Sequence, residues 1–448
     1  MAGTNTAGQF SSDIVNYIAE KTLPLARRQL VVYQFGDPLR LPKGRGTTYT
    51  ATRFERVPLP FAPLSEGVPP IGETMTITQV TATAQQWGDK ITITVVAELT
   101  IFHPVFQQAV NLMGLQVAET LERNTNNTLM SGTQVNYVNS RGSRASLVAG
   151  DVLNIHEVNR VVGALQTIGA PRYMGDEQTD TKVAAESGGA KASSNPRSTP
   201  HYVSVIHPLV AMDMRENSTV VTAWSYSDIN RLYNAELGEL AGTRFCSSNM
   251  IPTFTGVALI GGTAGTAGAL ATNTYYVRVT ASDTQNQYES RIYQVSTGIA
   301  VTGPTGSVSV VLPALAGFTF NVYVGLTTSP ANLGLSAAGP TTGPMTGQAT
   351  QLAPGQTVVI TAVGAAQTPP AAPATGVTVY PTYFFGRGAY GQVMLDDIKT
   401  SYLKDADKSD PLNQLRVVGW KVFYGSIITN QSFFARVEST SAFSATFG

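Results

Sequence analysis

The chain has 448 residues, 43% of them apolar and only 13% charged, and its 29 lysines and arginines balance its 29 aspartates and glutamates. This excludes a disordered chain, and zero net charge argues against a protein that grips nucleic acid. Cys246 is the one cysteine, which excludes an intrachain disulfide, and a surface so poor in charge favours association.

The N-terminus predicts a cytosolic, soluble origin and an initial helix. The first ten residues lack the basic and apolar regions of a secretion signal, and the sequence has no run of eighteen apolar residues that could span a membrane. Ile14, Ile18 and Leu25 lie on one face of a helix that begins near Ser11. A basic, turn-rich stretch follows at 35–46.

Residues 47–98 predict a long two-stranded ribbon. The strands are expected at 47–54 and 90–96, the second one after a turn at 87–89. Between them, prolines are too dense for a paired strand, and they should stiffen the tip. A lone ribbon is unstable in water, so it must lie either on its own domain or on a neighbouring subunit.

The longest helical pattern runs through residues 104–131, and the rest of the chain is organised around it. Pro104 suits a first helical turn, because the N–H that it lacks needs no partner there. At 1.5 Å per residue the helix would be ~40 Å long, which is long for a globular domain. Its apolar stripe comprises Phe106, Val110, Met113, Val117 and Leu121.

The middle of the chain alternates between helical and strand patterns. We predict a helix at 154–168, a strand at 202–206 and a further helix opened by His207 and Pro208. Residues 175–200 are rich in glycine, serine and charge and indicate an exposed loop. Residues 236–245 are interpreted as a helix-to-strand corner with glycine at the turn positions.

The composition changes at Gly256, and we call residues 256–376 the insert. Lysine is absent from it, Asp283 and Glu289 are its acidic residues, and glycine, threonine, alanine and proline dominate. Short alternating strands at such spacing are typical of a β-sandwich, and 365–375 indicates an exit linker. Beyond residue 376 the composition returns to that of the chain before Gly256, which indicates a domain inserted into a host. The insert strands are predicted at 275–280, 307–312 and 318–324, and the C-terminal strands at 417–426 and 433–437.

The sequence lacks a convincing motif for catalysis. The G-x-G-x-x-G match at 386–391 precedes a strand, whereas a dinucleotide site needs a helix there. His201 and His207 lack a cysteine or carboxylate at ligand spacing, and the acidic loop at 404–410 lacks the glycine and glutamate of a calcium loop. We therefore predict no catalytic, cofactor or metal site and no enzymatic turnover. Cys246 is expected to be a buried thiol.

A series of short motifs runs along the chain: Leu41-Pro42-Lys43-Gly44-Arg45-Gly46, Arg53-Phe54-Glu55, Leu64-Ser65-Glu66-Gly67-Val68, Trp87-Gly88-Asp89, Gly238-Glu239-Leu240-Ala241-Gly242-Thr243-Arg244-Phe245, Phe385-Gly386-Arg387-Gly388-Ala389-Tyr390-Gly391, Asp410-Pro411 and Gly419-Trp420-Lys421. In this number and order they resemble the major capsid proteins of tailed bacteriophages, within the N-four-type branch. The likeness covers about residues 10–254 and 377–440, and the insert interrupts it.

The resemblance implies an α+β chain with the Hong Kong 97-type capsid fold and an inserted all-β, immunoglobulin-like domain. In that fold an arm and an extended loop clasp neighbours, which would place the ribbon on the next subunit. The implied divisions are an N-terminal arm at 1–46, an extended loop at 47–98, a peripheral domain at 99–200 completed by 401–448, an axial domain at 201–255 and 377–400, and the insert at 256–376.

The implied function is structural. Copies of the chain would assemble as hexamers and pentamers into the icosahedral head shell of a tailed phage, enclosing double-stranded DNA without sequence-specific binding, cofactor or membrane. Scaffolding, portal and decoration proteins are further candidate partners, and the location is the virion, after synthesis in the host cytoplasm. Removal of 1–46 is expected to block assembly without unfolding the core. The implied assembly contacts are Arg53, Phe54, Glu55, Glu66, Trp87, Lys90, Arg244 and Trp420.

The sequence leaves alternatives open. A bacterial compartment shell of the same, encapsulin-like fold would enclose enzymes instead of DNA. A surface adhesin acting through the insert would need a secretion signal, and an enzyme would need a catalytic constellation. The insert is either an outward module that decorates the shell or touches host glycans, or a passive spacer. If it is an independent domain, its deletion should leave assembly intact.

Overall fold

A computed structural model describes much of the chain in separate stretches. Four predicted features fall wholly or mainly outside these stretches: the first helix, the proline-rich segment between the ribbon strands, the loop at 175–200 and the acidic loop at 404–410. The described residues are 4–5, 30–42, 44, 46–55, 57, 59, 63, 72–100, 105–173, 200–216, 235–283, 288–329, 333–335, 352–361, 363, 369–403 and 414–444.

The described residues form four α-helices and twenty-two strands. The helices are α1 Val95–Thr100, α2 Val105–Met130, α3 Ile155–Ile168 and α4 Pro208–Glu216. The strands are β1 Thr4–Asn5, β2 Asp37–Arg40, β3 Thr48–Phe54, β4 Ile77–Thr83, β5 Gln85–Thr94, β6 Val135–Tyr137, β7 Tyr202–Ile206, β8 Glu236–Leu240, β9 Thr243–Ser247, β10 Phe254–Val257, β11 Gly262–Leu270, β12 Asn273–Asp283, β13 Glu289–Tyr293, β14 Ile299–Val301, β15 Gly306–Val311, β16 Phe318–Gly325, β17 Leu333–Leu335, β18 Thr357–Ile360, β19 Thr378–Phe385, β20 Tyr390–Leu403, β21 Leu415–Ile428 and β22 Phe434–Ser439.

The chain divides into two compact units. The first unit comprises 1–133, 170–172 and 386–434, and its main sheet has the order β1-β5-β21-β20-β2. The second unit comprises the remaining residues and contains the predicted insert.

The long helix of the first unit lies against its sheet, and its prediction is confirmed to within one residue at each end. Met113, Val117 and Leu121 follow one another at four-residue steps and are buried against Val418, Val422 and other residues of β21. This stripe stabilises the helix, because the burial of its apolar face outweighs helix propensity.

The ribbon differs from its prediction in the identity of the second strand. Its two strands are β3 and β4, whereas β5 leaves the ribbon and pairs with β21 in the main sheet. The predicted turn at 87–89 was wrong, because these residues lie inside β5. Gly88 permits this pairing, since a Cβ there would lie 2.5 Å from the Trp420 carbonyl oxygen.

The described part of the predicted arm belongs to the core of the first unit. Val31, Val32 and Phe35 are buried, and β2 pairs in parallel with β20. The hydroxyl of Tyr390 donates to the Val32 carbonyl at 2.5 Å. Removal of the whole segment 1–46 would therefore expose apolar core residues, so we expect it to destabilise the first unit as well as to block assembly; a truncation that tests assembly must at least keep residues 30–46.

Glu122 of α2 also holds this segment, through its backbone. Its carboxylate is 1% exposed and accepts hydrogen bonds from the N–H groups of Val32 at 2.8 Å and Tyr33 at 3.0 Å. Burial raises the pKa of this carboxyl to about 7, although the backbone N–H donors lower it. From β21 the hydroxyl of Tyr424 faces it.

The buried glutamate gives the first unit a pH-dependent stability. Because the folded state holds the proton more tightly than an ordinary glutamate with pKa 4.5, the stabilisation is complete below about pH 4.5 and is lost as pH rises through 7. Relative to Glu122→Gln, we expect the wild-type free energy of unfolding to fall by up to about 3 kcal/mol between pH 5 and pH 8. Denaturant titrations at both pH values measure this difference.

The control is Glu73→Gln, which removes an exposed carboxylate from the same unit. It should keep the wild-type dependence on pH. Equal pH dependence in wild type and Glu122→Gln would contradict the role assigned to Glu122.

The second unit is built on a large sheet and one smaller sheet. The main path of the large sheet is β17-β16-β12-β13-β10-β19-β7-β9-β8, and β22 pairs with both β19 and β6. Helix α3 begins with Asn154, whose side chain accepts from the Glu157 N–H, and ends at the left-handed Gly169. These caps confirm the predicted helix at 154–168.

The segment predicted as a helix-to-strand corner at 236–245 is a β-hairpin, so that prediction was wrong. Strands β8 and β9 pair antiparallel, and β9 also pairs in parallel with β7. Ala241 and Gly242 both have left-handed backbone angles, with φ of 54° and 69°. Two such residues in succession make the tight turn that suits a twisted hairpin.

The insert contains the three strands predicted for it, as β12, β15 and β16. One apolar core lies between the three-stranded sheet β11-β15-β18 and the end of the large sheet that contains β12 and β16. Val277, Val308 and Phe320 are fully buried in this core. The immunoglobulin-like character of the insert stays a prediction.

The described residues contain neither a group of three potential metal ligands nor a helix long and apolar enough to cross a membrane. His207 accepts a hydrogen bond at Nδ1 from the Leu209 N–H at the start of α4, and burial lowers its pKa to about 4. Cys246 is buried as predicted, and burial raises the pKa of its thiol.

Candidate assembly surfaces

The ribbon has one face toward the first unit and one face toward solvent. Along β3 and β4, exposed and half-buried residues alternate without exception. Tyr49, Val80 and Ala82 pack against a small core that contains Val393 and Ile427. The opposite face carries mostly threonines, whose cross-strand pairs follow the register of Thr48 with Thr83 and Thr50 with Thr81.

Large apolar side chains accumulate where the ribbon leaves this small core. Phe54 and Ile77 are cross-strand partners, and they are 62% and 50% exposed. Leu59 and Met75 are still more open, at 76% and 68%. We call Phe54, Val57, Leu59, Met75 and Ile77 the ribbon tip. Exposed apolar residues that are scattered singly are ordinary, but five of them at one end of the ribbon and in the chain next to it indicate a contact surface.

A charged cluster lies beside the ribbon tip. The Arg53 guanidinium contacts the Glu55 carboxylate at 2.6 Å, and the Thr78 hydroxyl donates to the same carboxylate oxygen at 2.7 Å. Two hydrogen bonds lower the pKa of Glu55, and the one from Thr78 has a larger effect than the one from Arg53. Glu55 therefore stays ionised, and the cluster presents a fixed pair of opposite charges next to apolar residues.

A second exposed apolar surface lies on helix α1, and we call it the α1 patch. Val96 is 62% exposed and Leu99 is 79% exposed, and their spacing of three residues places them on one helix face. Glu98 between them forms an ion pair with Arg416 at 3.4 Å. The sequence did not predict this surface. The apolar pattern of β5 continues through Val95 and Val96, so these residues look like part of the strand although they begin the helix.

Trp420 lies inside the first unit. It is 6% exposed, and its indole Nε1 donates to Gln116 Oε1 of α2 at 3.1 Å. Gln116 in turn donates to the Asp89 carboxylate at 2.6 Å. The guanidinium of Arg123 lies 5.9 Å from the Trp87 ring. These contacts join α2 to β5 and β21, and Trp420 contributes to the fold of its own chain.

Arg244 is likewise buried, in the second unit. Its guanidinium lies 2.8 Å from the Glu236 carboxylate and 3.5 Å from that of Glu239. Both carboxylates belong to β8, so the ion pairs hold the two strands of the hairpin together. Breaking these ion pairs would leave unpaired charge in a buried site. Arg244 therefore contributes to the fold of its own chain.

The predicted assembly contacts therefore separate by exposure. Phe54 is exposed, the pair Arg53 and Glu55 is partly exposed beside it, and Lys90 is exposed on β5. Trp87 is half-buried, and Glu66 lies outside the described residues. The assembly role of all eight residues stays a prediction. The remaining members of the ribbon tip and the α1 patch were not singled out from the sequence.

Comparison with known proteins adds a set of similar solved structures. No protein-family model matches the chain, and no curated protein matches it. The capsid of cyanophage P-SCSP1u is 12% identical, with 95% of this chain and 93% of that chain covered and a TM-score of 0.48. The capsid of Ralstonia phage GP4 is 10% identical, with 95% and 97% covered and a TM-score of 0.49. The head structure of Helicobacter pylori bacteriophage KHP40 is 7% identical, with 90% and 86% covered and a TM-score of 0.46. These are phage capsid structures, the class of protein that the sequence motifs predicted, and the branch stays a prediction.

Proposed function

We propose that the chain is the major capsid protein of a tailed phage and self-assembles into the head shell that encloses double-stranded DNA. The observation that carries this proposal is the ribbon tip, whose five large apolar side chains are 41–76% exposed. The ordered capsid motifs of the sequence support it independently; one of them, at 41–46, precedes β3, and another, at 53–55, covers the end of β3 beside the ribbon tip.

The ribbon tip requires a partner surface on another copy. The tip and the α1 patch are different surfaces of one chain, so a contact between them in two copies is head-to-tail. Repetition of a head-to-tail contact closes into rings when the rotation allows it, which is the geometry of hexamers and pentamers. Full burial of one such side chain contributes about 1.5–3 kcal/mol, which suits weak contacts that are repeated many times.

The charged cluster beside the tip would set the register of this contact. Arg53 and Glu55 are partly exposed and already paired, so they can meet a complementary pair on the neighbour with little reordering. Lys90 is the other exposed candidate for such a contact. Arg244 and Trp420 would support assembly indirectly, by holding the elements on which the surfaces lie.

The remaining parts of the proposal follow from the capsid assignment. The Hong Kong 97-type divisions into arm, extended loop, peripheral domain and axial domain are those given above. The shell would enclose DNA without gripping it, because 29 basic residues only balance 29 acidic ones. The protein would act as a structural component of the virion, made in the host cytoplasm, and not as an enzyme. Scaffolding, portal and decoration proteins are the further partners that we propose.

Negative-stain electron microscopy of the purified protein, with size-exclusion light scattering, tests the proposal. We expect closed shells, or rings of hexamers and pentamers, that contain no enzyme. Shells filled with a cargo enzyme would replace the phage assignment by the compartment alternative. Monomers that do not assemble at any concentration, with or without a co-expressed scaffold, would overturn the shell function.

A further inference from the structure

A short proline-rich segment at the end of the insert forms contacts that its composition conceals. We call residues 369–374, with the sequence Pro-Pro-Ala-Ala-Pro-Ala, the strap. The sequence predicts part of an exit linker here, but Pro369, Ala372 and Pro373 are buried. Proline has no backbone N–H and disrupts regular strand pairing, so the strap carbonyl groups that no backbone N–H reaches need side-chain donors.

Two of these donors belong to the insert. Arg278 of β12 donates from Nη1 to the Pro370 carbonyl at 3.3 Å. Gln294, directly after β13, donates from Nε2 to the Pro373 carbonyl at 2.6 Å. Arg278 is 6% exposed, and burial lowers the pKa of its guanidinium. This buried guanidinium is therefore placed to bind a strap carbonyl.

The third donor belongs to the host part of the second unit. Arg144 donates from Nη1 to the Ala371 carbonyl at 3.1 Å. Its other nitrogens bind both carboxylate oxygens of Glu438 on β22, at 2.6 and 2.5 Å. The guanidinium also lies 3.9 Å from the centre of the Phe254 ring on β10. Arg144 therefore joins the strap to β22 and to β10, two strands of the large sheet.

The backbone beneath the strap allows no side chain. A Cβ at Gly256 would lie 2.2 Å from the Ala374 carbonyl oxygen and 2.5 Å from that of Pro373. The Gly256 N–H donates to the Val377 carbonyl at 2.9 Å, and the Gly376 N–H donates to the Gly256 carbonyl at 2.8 Å. The chain thus enters and leaves the insert through two backbone segments in direct contact.

The large sheet is continuous across the same place. Strand β10 pairs in parallel with β13 of the insert and antiparallel with β19 of the host. We propose that the strap, together with this shared strand, is a rigid joint that fixes the insert at one angle to the host sheet. The insert is then an outgrowth of fixed orientation, and every copy of the chain presents the same surface of it.

Spin-label distances within the second unit test the joint in the unassembled full chain. One label is placed on the insert by Val311→Cys, and the other on helix α3 by Ile168→Cys; both sites are exposed. The natural Cys246 is fully buried and should not react. We expect one narrow distance distribution in the otherwise unchanged chain. A broad or multiple distribution there would overturn the rigid joint.

The strap itself is tested by removing its two insert donors with Arg278→Met and Gln294→Leu. We expect the distance distribution to broaden by about twofold while the β-sheet circular dichroism is retained. The matched control for Gln294→Leu is Gln356→Leu, which makes the same chemical change at an exposed site of the insert and should keep the narrow distribution. If the double strap variant does not fold, Gln294→Leu alone is measured. A folded strap variant with an unchanged narrow distribution would show that the shared strand suffices and that the strap is not the joint.

Discussion

Replacing Phe54 and Met75 by serine should abolish shell formation at concentrations at which the wild-type protein assembles. Both residues belong to the ribbon tip and are more than half exposed, so the free chain loses little when they are changed. In an assembled contact, the loss of two buried apolar side chains costs at least about 3 kcal/mol, which is about 100-fold in the association constant. Sedimentation velocity over a concentration series measures the shift.

The variant must be compared with a change of the same kind elsewhere. Val148→Ser with Ile168→Ser replaces two half-exposed apolar residues of the second unit, outside the ribbon and the α1 patch. We expect this control to assemble like the wild type, and both variants to unfold within about 0.5 kcal/mol of it. Shells of the Phe54 and Met75 variant at wild-type concentrations would show that the tip is not the contact.

Arg144→Met should lower the free energy of unfolding of the second unit by about 3–5 kcal/mol. The side chain of Glu438 is fully buried and would lose its bidentate partner, while the Ala371 carbonyl would lose its donor. Most of the loss comes from a buried carboxylate that keeps Arg436 at 3.2 Å but loses both charge-assisted hydrogen bonds from Arg144. Chemical denaturation with fluorescence and circular dichroism measures this change.

Two further variants identify the source of that loss. Adding Glu438→Gln to Arg144→Met should recover part of the stability, because the buried negative charge is then removed. Arg53→Met breaks an ion pair whose two side chains are both 38% exposed, and it should leave the unfolding free energy nearly unchanged. If Arg144→Met and Arg53→Met proved equally mild, the buried network would have no special role in stability.

The joint also changes what deletion of the insert would test. Removal of 256–376 cuts strand β10 after Thr255 and takes away the Ala371 carbonyl that Arg144 binds. It also joins Thr255 directly to Val377, which leaves too short a connection for the antiparallel pair of Thr255 with Thr378. A failure of such a deletion to fold would therefore reflect the damaged joint, and a deletion that keeps Thr255 paired is the fairer test of assembly.

Local patterns in the sequence were sufficient for the elements whose stability is local. Helix α2 follows from apolar residues at helical spacing, and strands β3, β12, β15 and β16 follow from alternation. The ordered motifs also predicted a capsid protein before any geometry was known. Each of these signals lies within a short window of the chain, where side-chain periodicity directly reports the buried face.

Only the tertiary structure decided the features that depend on pairing between distant segments. Strand β5 pairs with β21 instead of joining the ribbon, because β21, more than 300 residues later in the chain, offers it an edge for pairing. Gly88 leaves room for the Trp420 carbonyl in this pair. The α1 patch, the hydrogen bonds that Glu122 accepts from Val32 and Tyr33, and the strap depend on such distant partners in the same way. The burial of a carboxylate or a proline-rich segment is set by what packs over it, and no local pattern of residues encodes that contact.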